Sequence, residues 1–490
     1  MKRIDNKRRL AALVVLLLAV AGALIAFVAY LFAHSGKSDA PAPVDAHPGD
    51  PTYEMEITPY YAEGALYVRQ TVTFQNGGQP LDRLVFCLPL NAYRRAVTAP
   101  MDADAFDAAF PEAYAPGGIE FTSITLDGRS VEWGVSGTSE AILTVLAEIA
   151  PGQQVSVGME YHALLPEFAG ADGFDDGEWR MSGFYPCLAQ LDGGEWRAYA
   201  PAYVGQYMCA PVGDYGITLH APSGFDIAAT GSAAAQESDD GWTTWRIEAR
   251  DAREVSIVMR RGGCVYEREV NGAHLRVYGR DRLRARQALD TAAALMECMN
   301  AILPYPYPAL EIVIGDYAGR DLSATGLILM DATAPDFDAQ LAYLIARQWW
   351  GGIVGCDPAE EPWLSEALAQ FSALDCVRAA VPRSYTALRE VIDSAVSMTL
   401  PGGLNVETGS AAFTAQSDYD NVLRYRGAAV LELLDEALDG RLPDVLSDYA
   451  RERAYGMATR DDLLAALSRD GSGDWSAWLS ETLQGIGRAG

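Results

Sequence analysis

The hydrophobic period of this chain switches once, near residue 263, and that switch confines it to an α+β arrangement with sheet-forming and helix-forming parts kept apart in sequence. From about 53 to 262 the period is two. Leu66, Val68, Val72 and Phe74 alternate with polar residues ahead of the turn Asn76-Gly77-Gly78, and similar runs recur at 84–88, 155–161, 215–220 and 255–259. This stretch is predicted to be mostly antiparallel β. Beyond 263 the period becomes 3.6. Leu283, Ala288, Leu289, Ala292, Leu295, Met296 and Met299 predict an amphipathic helix ending before Pro304, followed by a buried strand at 310–314. Three further helices are predicted at 338–350, 363–381 and 422–438, bounded by Gly351-Gly352, by Pro362 and Pro382, and by Gly440. Residues 441–490 read as a short helical segment packed on the rest, and 490 residues in all call for two or three domains.

The N-terminus bears on location. Residues 10–33 are 24 uninterrupted apolar or small residues, preceded by a tail, 1–9, that carries Lys2, Arg3, Lys7, Arg8 and Arg9. The run is long enough to span a bilayer core and longer than the apolar region of a signal peptide. It is predicted to be an uncleaved transmembrane signal anchor, the alternative being a cleaved signal peptide. The basic tail keeps the N-terminus cytoplasmic and places the remainder outside the cytoplasm, as a single-pass protein of the cell membrane. Residues 34–52, rich in Pro, Ala and Asp, form an extended tether, on which His34 and His47 read as solvated.

With 37 Lys+Arg against 66 Asp+Glu the chain carries a formal charge of −29, which excludes a general nucleic-acid binder. Seven Cys are too few for a disulfide scaffold, and their odd number outside the cytoplasm leaves a free thiol or an intermolecular pair. The 24 Tyr and 10 Trp read mainly as core and edge packing. No G-x-S-x-G, P-loop, G-x-G-x-x-G or C-x-x-C pattern occurs. The acidic stretch 172–178 lacks calcium-loop spacing and reads as a solvated loop. The five His are His34, His47, His162, His220 and His274, so none follows position 274.

Several fragments, in their order and spacing, resemble the M1 aminopeptidases, especially their short bacterial members. They are Gly183-Phe-Tyr-Pro-Cys-Leu-Ala-Gln-Leu-Asp-Gly-Gly-Glu-Trp196, the segment 213–231, Leu88-Pro-Leu-Asn-Ala-Tyr93, Pro304-Tyr-Pro-Tyr-Pro308, Arg347-Gln-Trp-Trp-Gly351 and Trp363-Leu-Ser-Glu-Ala-Leu-Ala-Gln-Phe371. The resemblance implies an antiparallel β saddle domain over 53–262. A thermolysin-like, mostly helical α/β domain of gluzincin type would follow over 263–440, with the helical segment 441–490 behind it.

A gluzincin holds zinc with two imidazoles four residues apart and a downstream Glu, and a second Glu beside the first His acts as general base. The resemblance places those residues at Tyr343, Arg347, Glu366 and Leu344, so only Glu366 retains its type. It also places Ser323 where a Glu would recognise a substrate amine, and Arg424 where a Tyr would stabilise the oxyanion, with Tyr425 one residue away. Arg is never deprotonated and repels a metal cation, and with no His beyond 274 no shift of register restores the motif. No cofactor is expected, the family's zinc being lost. Arg347 is predicted to take the metal's place and pair with Glu366. A divergent metal held by Glu366 with Asp357, Glu360 or Glu361 is the alternative. Trp349 and Trp350 read as core.

These readings imply a membrane-anchored, M1-like pseudopeptidase whose cleft binds a peptide or protein partner. An active hydrolase with a divergent metal site and a structural scaffold for a membrane complex remain the alternatives.

Overall fold

The computed structural model describes residues 50–485 except 61–62, 176, 207–208, 319, 401 and 470–474. The tail 1–9, the apolar run 10–33 and the tether through residue 49 lie outside the described residues. Among the described residues no helix is long and apolar enough to cross a membrane.

Alternation builds the first half. In strand Thr52–Tyr60, Tyr53, Met55 and Ile57 turn inward while Glu54 and Glu56 face out, and pairing Ile57 to Val68 and Tyr53 to Val72 brings the apolar sides of two strands together. Repetition of this pattern gives an eight-stranded sheet. Its order is Ser232–Asp239, Trp242–Ala252, Gly213–Pro222, Thr52–Tyr60, Ala65–Gln75, Gln154–Leu164, Gly118–Leu126, Arg129–Ser130. One pairing, Thr52–Tyr60 with Gly213–Pro222, is parallel. A second sheet, ordered Cys187–Leu188, Leu81–Cys87, Ile142–Ile149, Trp133–Ser136, shares a core with it that includes Phe86, Leu143, Val145, Tyr161 and Ile217. Each such side chain contributes roughly 1.5–3 kcal/mol on burial. A short helix, Ala103–Ala109, capped by Asp102, also sits in this half.

The acidic stretch is structural, which corrects the reading of a solvated loop. Asp172 accepts from the backbone N–H of Ser182 and Gly183, and Glu178 is buried against Arg180, Arg260 and the Tyr317 hydroxyl. A run of carboxylates reads as solvated only while partners distant in sequence, here Arg260 and Tyr317, are unseen.

Beyond Arg260 the architecture changes, though not to helices alone. Strands Cys264–Val270, Ala273–Gly279, Ala309–Gly315, Leu327–Asp331 and Leu322–Ala324 form a five-stranded sheet in that order, where only the strand at 310–314 is predicted. Leu327–Asp331 is buried on both faces and therefore carries no period-two signal. Helix Arg282–Met299, with Asp281 as N-cap, packs on this sheet, and Cys298 is disulfide-bonded to Cys376. The other five cysteines are free thiols.

Helices Phe337–Trp349 and Trp363–Ala380 follow closely the predicted 338–350 and 363–381. Trp349 and Trp350 are fully buried. Pro382 does more than end one helix. It occupies the first turn of another, Pro382–Ser397, which the sequence reading omits. The helix expected over 422–438 is split into an α turn Gln416–Tyr419, a π-helical segment Asp420–Arg426 and the α-helix Gly427–Ala437. Gly427 allows this last helix to press on the Glu366 helix, because a Cβ there would lie 2.5 Å from that of Ala367. Helices Leu442–Arg453, Arg460–Leu467 and Trp475–Gly485 complete the tail.

Candidate functional site: a buried ion pair between two helices

Tyr343 and Arg347 lie one turn apart on one face of Phe337–Trp349, and that face meets the first turn of Trp363–Ala380, where Glu366 sits. The Glu366 carboxylate is 3% exposed. Its Oε1 accepts from Arg347 Nη1 at 2.6 Å and from the Tyr419 hydroxyl at 3.2 Å, and its Oε2 accepts a short hydrogen bond from the Tyr343 hydroxyl. Arg347 Nη1 also reaches Ser365 Oγ at 2.9 Å. Burial works against the Arg347 charge, yet Glu366 together with the phenolic oxygens of Tyr343 and Tyr419 outweighs it and holds the guanidinium above its ordinary pKa. Burial and then the Glu366 charge push both phenols well above their usual value, so they remain neutral donors.

This donor set does not fit a zinc ion. Leu344 is core, Arg347 is a permanent cation at the second imidazole position, Tyr343 keeps its proton, and the one carboxylate already accepts three hydrogen bonds. Of the three alternative ligands, Asp357 and Glu361 are engaged elsewhere. Asp357 accepts from the Tyr199 hydroxyl at 2.5 Å and from the N–H groups of Ala359 and Glu360, while Glu361 accepts from Arg460 N. Among the described residues no group of three His, Cys, Asp or Glu is placed to hold an ion.

Ser323 lies on the edge strand Leu322–Ala324, donates to the Leu344 carbonyl at 2.9 Å and accepts from Gln348 Nε2 at 2.7 Å. Gln348 further ties Ala324 and Gly326 at 2.8 Å each, so the segment is pinned to the Arg347 helix. Arg424, on the π segment, is 4% exposed. Its Nε donates to Gln370 Oε1 at 2.6 Å and its Nη1 to Gln340 Oε1 at 2.9 Å, while the guanidinium lies 3.6 Å from the Tyr343 ring centre and 4.8 Å from that of Tyr425. Asp321 accepts from Asp331 N and from Gln340 Nε2, and burial pushes its carboxyl up to about 6. Burial does the same to Asp420, also to about 6, against the pull of Arg424.

Two participants escape a reading of the sequence. Tyr419, rather than Tyr425, is the phenol that reaches Glu366, because the π segment breaks the counting of i, i+3 and i, i+4 neighbours. Glu254, from the β half, is half-buried and accepts from the N–H and hydroxyl of Thr325, and desolvation raises its pKa.

Solved structures share the fold of this chain. The M1 zinc metallopeptidase of Deinococcus radiodurans superposes with a TM-score of 0.62 at 16% identity, over 89% of this chain and 94% of that one. A mutant of that enzyme bound to a Tyr-Ser-Ala substrate gives 0.60 at 16% identity, over 89% and 95%. No protein-family model matches the chain. In sequence the chain is 23% identical to aminopeptidase M1-A of Oryza sativa subsp. japonica over 422 residues, 77% of this chain and 46% of that protein. Aminopeptidase M1-B of the same plant is 25% identical over 246 residues, covering 44% and 27%. Human endoplasmic reticulum aminopeptidase 2 is 24% identical over 211 residues, covering 38% and 22%. The chain thus spans less than half the length of these curated relatives. In sequence and in fold the chain is similar to M1 aminopeptidases.

Proposed function

We propose that this chain is a noncatalytic M1-like ectodomain that binds a peptide or protein partner in its cleft, held at the cell membrane by residues 10–33 with its N-terminus in the cytoplasm. The observation that carries the reading is the 2.6 Å contact of Arg347 with Glu366. The carboxylate that would hold the metal in a gluzincin here has a guanidinium as its counter-charge, and Leu344 offers no base to activate water. The disulfide between Cys298 and Cys376 supports an oxidising, extracytoplasmic setting. The test is elemental analysis of the purified full chain, together with turnover of a panel of aminoacyl substrates with and without chelator. Less than a tenth of an equivalent of zinc and no chelator-sensitive turnover are expected. Stoichiometric zinc with chelator-sensitive hydrolysis overturns the proposal.

A further inference from the structure

Cys87 ends strand Leu81–Cys87 and Cys187 opens strand Cys187–Leu188, and the antiparallel register sets the two directly opposite each other. Ala189 N–H donates to the Val85 carbonyl at 2.9 Å, so Ala189 and Val85 form a hydrogen-bonded pair, and the pair two residues along, Cys187 with Cys87, is of the same kind. Cα atoms in such pairs are about 5.5 Å apart, a separation typical of disulfides. Directly opposed residues also point to one face of the sheet, here the face that Val85 and Ala189 share with Cys87. Both are thiols in this structure, and Cys187 Sγ is turned to the Tyr53 hydroxyl at 3.9 Å, a weak contact. Bonding to Cys87 asks for a side-chain rotation, not for backbone movement.

Burial protects the pair in the closed fold. Cys87 and Cys187 are 5% and 1% exposed, and burial pushes the Cys87 thiol up to about 12 and raises that of Cys187 as well, so neither is a thiolate there. Access comes from topology. Cys187–Leu188 is a two-residue strand at the edge of its sheet, held by Leu81–Cys87 on one side only, and so short an edge opens more cheaply than the sheet behind it. Among the described residues no strand register sets a cysteine opposite Cys264, and Cys209 and Cys356 lie outside the strands.

We propose that Cys87 and Cys187 form a second disulfide, made by exchange with a glutathione-type disulfide donor when the edge strand opens. The Cys187 thiolate attacks one sulfur of the donor, the donor's S–S bond breaks and one donor thiol leaves; the Cys87 thiolate then attacks the Cys187 sulfur of the mixed disulfide and expels the second. Two protein thiols are oxidised, the donor is reduced by the same two electrons, and the two protons end on its two thiols. The bond fastens the start of the segment that runs from the β half to the ion pair. Along that segment Tyr199 donates to Asp357 at 2.5 Å, and Gly205 lies so close to the Tyr419 ring that a Cβ would come within 2.5 Å of it. Tyr419 in turn donates to Glu366 at 3.2 Å, so oxidation sets how firmly the segment is held against the Glu366 site.

The test exposes the full chain in detergent to a glutathione redox buffer, in water and in urea below its unfolding midpoint. The chain is then quenched, unfolded, alkylated, digested without reduction and mapped by mass spectrometry. The expected product joins the peptides that carry Cys87 and Cys187, lighter than their sum by two hydrogens, and it forms about tenfold faster or more in urea. Cys87→Ala is expected to stop at the mixed disulfide, with glutathione on Cys187. Recovery of Cys87 and Cys187 as alkylated thiols under both conditions, with Cys298–Cys376 intact as the internal standard, overturns the proposal. So does a bond from either one to Cys209, Cys264 or Cys356. Amide hydrogen exchange over 188–206 reads the hold on the segment: cross-linking is expected to slow it about tenfold or more, and unchanged exchange overturns the link to the Glu366 site.

Discussion

Replacing Arg347 by methionine removes one partner of an ion pair whose side chains are 6% and 4% exposed. Breaking a pair so deeply buried costs about 3–5 kcal/mol, because the remaining charge has no solvent to retreat to. Here the lower end applies, since Tyr343 and Tyr419 still donate to the orphaned Glu366. The double variant Arg347→Met, Glu366→Leu removes both charges and leaves two phenols to find other partners. It is expected to lie within about 1–2 kcal/mol of wild type, as apolar replacements of buried pairs commonly do. The coupling energy of the cycle is then about 2 kcal/mol or more. Urea unfolding of the full chain, followed by far-ultraviolet circular dichroism with the slope against denaturant held common, measures all four corners. A single Arg347→Met within about 1 kcal/mol of wild type, or a double variant equal to the sum of the singles, refutes the claim that this contact is an obligatory internal charge pair.

Three further outcomes are expected. Glu311 is fully buried with Oε2 unpartnered, and burial lifts its carboxyl to about 7 despite the adjacent Arg276. The folded state therefore holds a proton that the unfolded state releases at its ordinary value of 4.5, and stability falls as pH rises through 7. Wild type should lose about 2 kcal/mol relative to Glu311→Gln between roughly pH 5.5 and 8.5, and parallel pH profiles of the two refute this. Reducing Cys298–Cys376, which are 78 residues apart, should lower unfolding free energy by about 2–5 kcal/mol, measured with and without reductant; no change in the urea midpoint sinks it. Gly427→Ala sets a methyl 2.5 Å from the Ala367 side chain and should cost about 1–3 kcal/mol, with Gly427→Ala as stable as wild type as the refuting result.

The parts of this molecule that can be read from its sequence are those whose geometry is local. Strand Ala65–Gln75 shows itself through Leu66, Val68, Val72 and Phe74, and helix Arg282–Met299 through its apolar face. Tyr343 and Arg347 share a helix face by their spacing of four, while the approach of Glu366, on another helix, follows only from the resemblance to the M1 aminopeptidases. Counting fails where regularity does. Tyr419 precedes the π segment and Arg424 lies on it, and no fixed period brings Tyr419 to Glu366 while turning Arg424 onto the Tyr343 ring. Strand Leu327–Asp331 is buried on both sides and looks like any apolar run, and helix Pro382–Ser397 hides behind a proline that serves equally as a stop or a start.

The guanidinium facing Glu366 is part of the polypeptide itself. A bound metal can be competed away, withheld by a zinc-poor environment or loaded only after folding, whereas Arg347 arrives with the chain and cannot be exchanged. The helix pair that it joins is therefore complete as soon as the chain has folded, and its shape does not depend on the metal content of its surroundings.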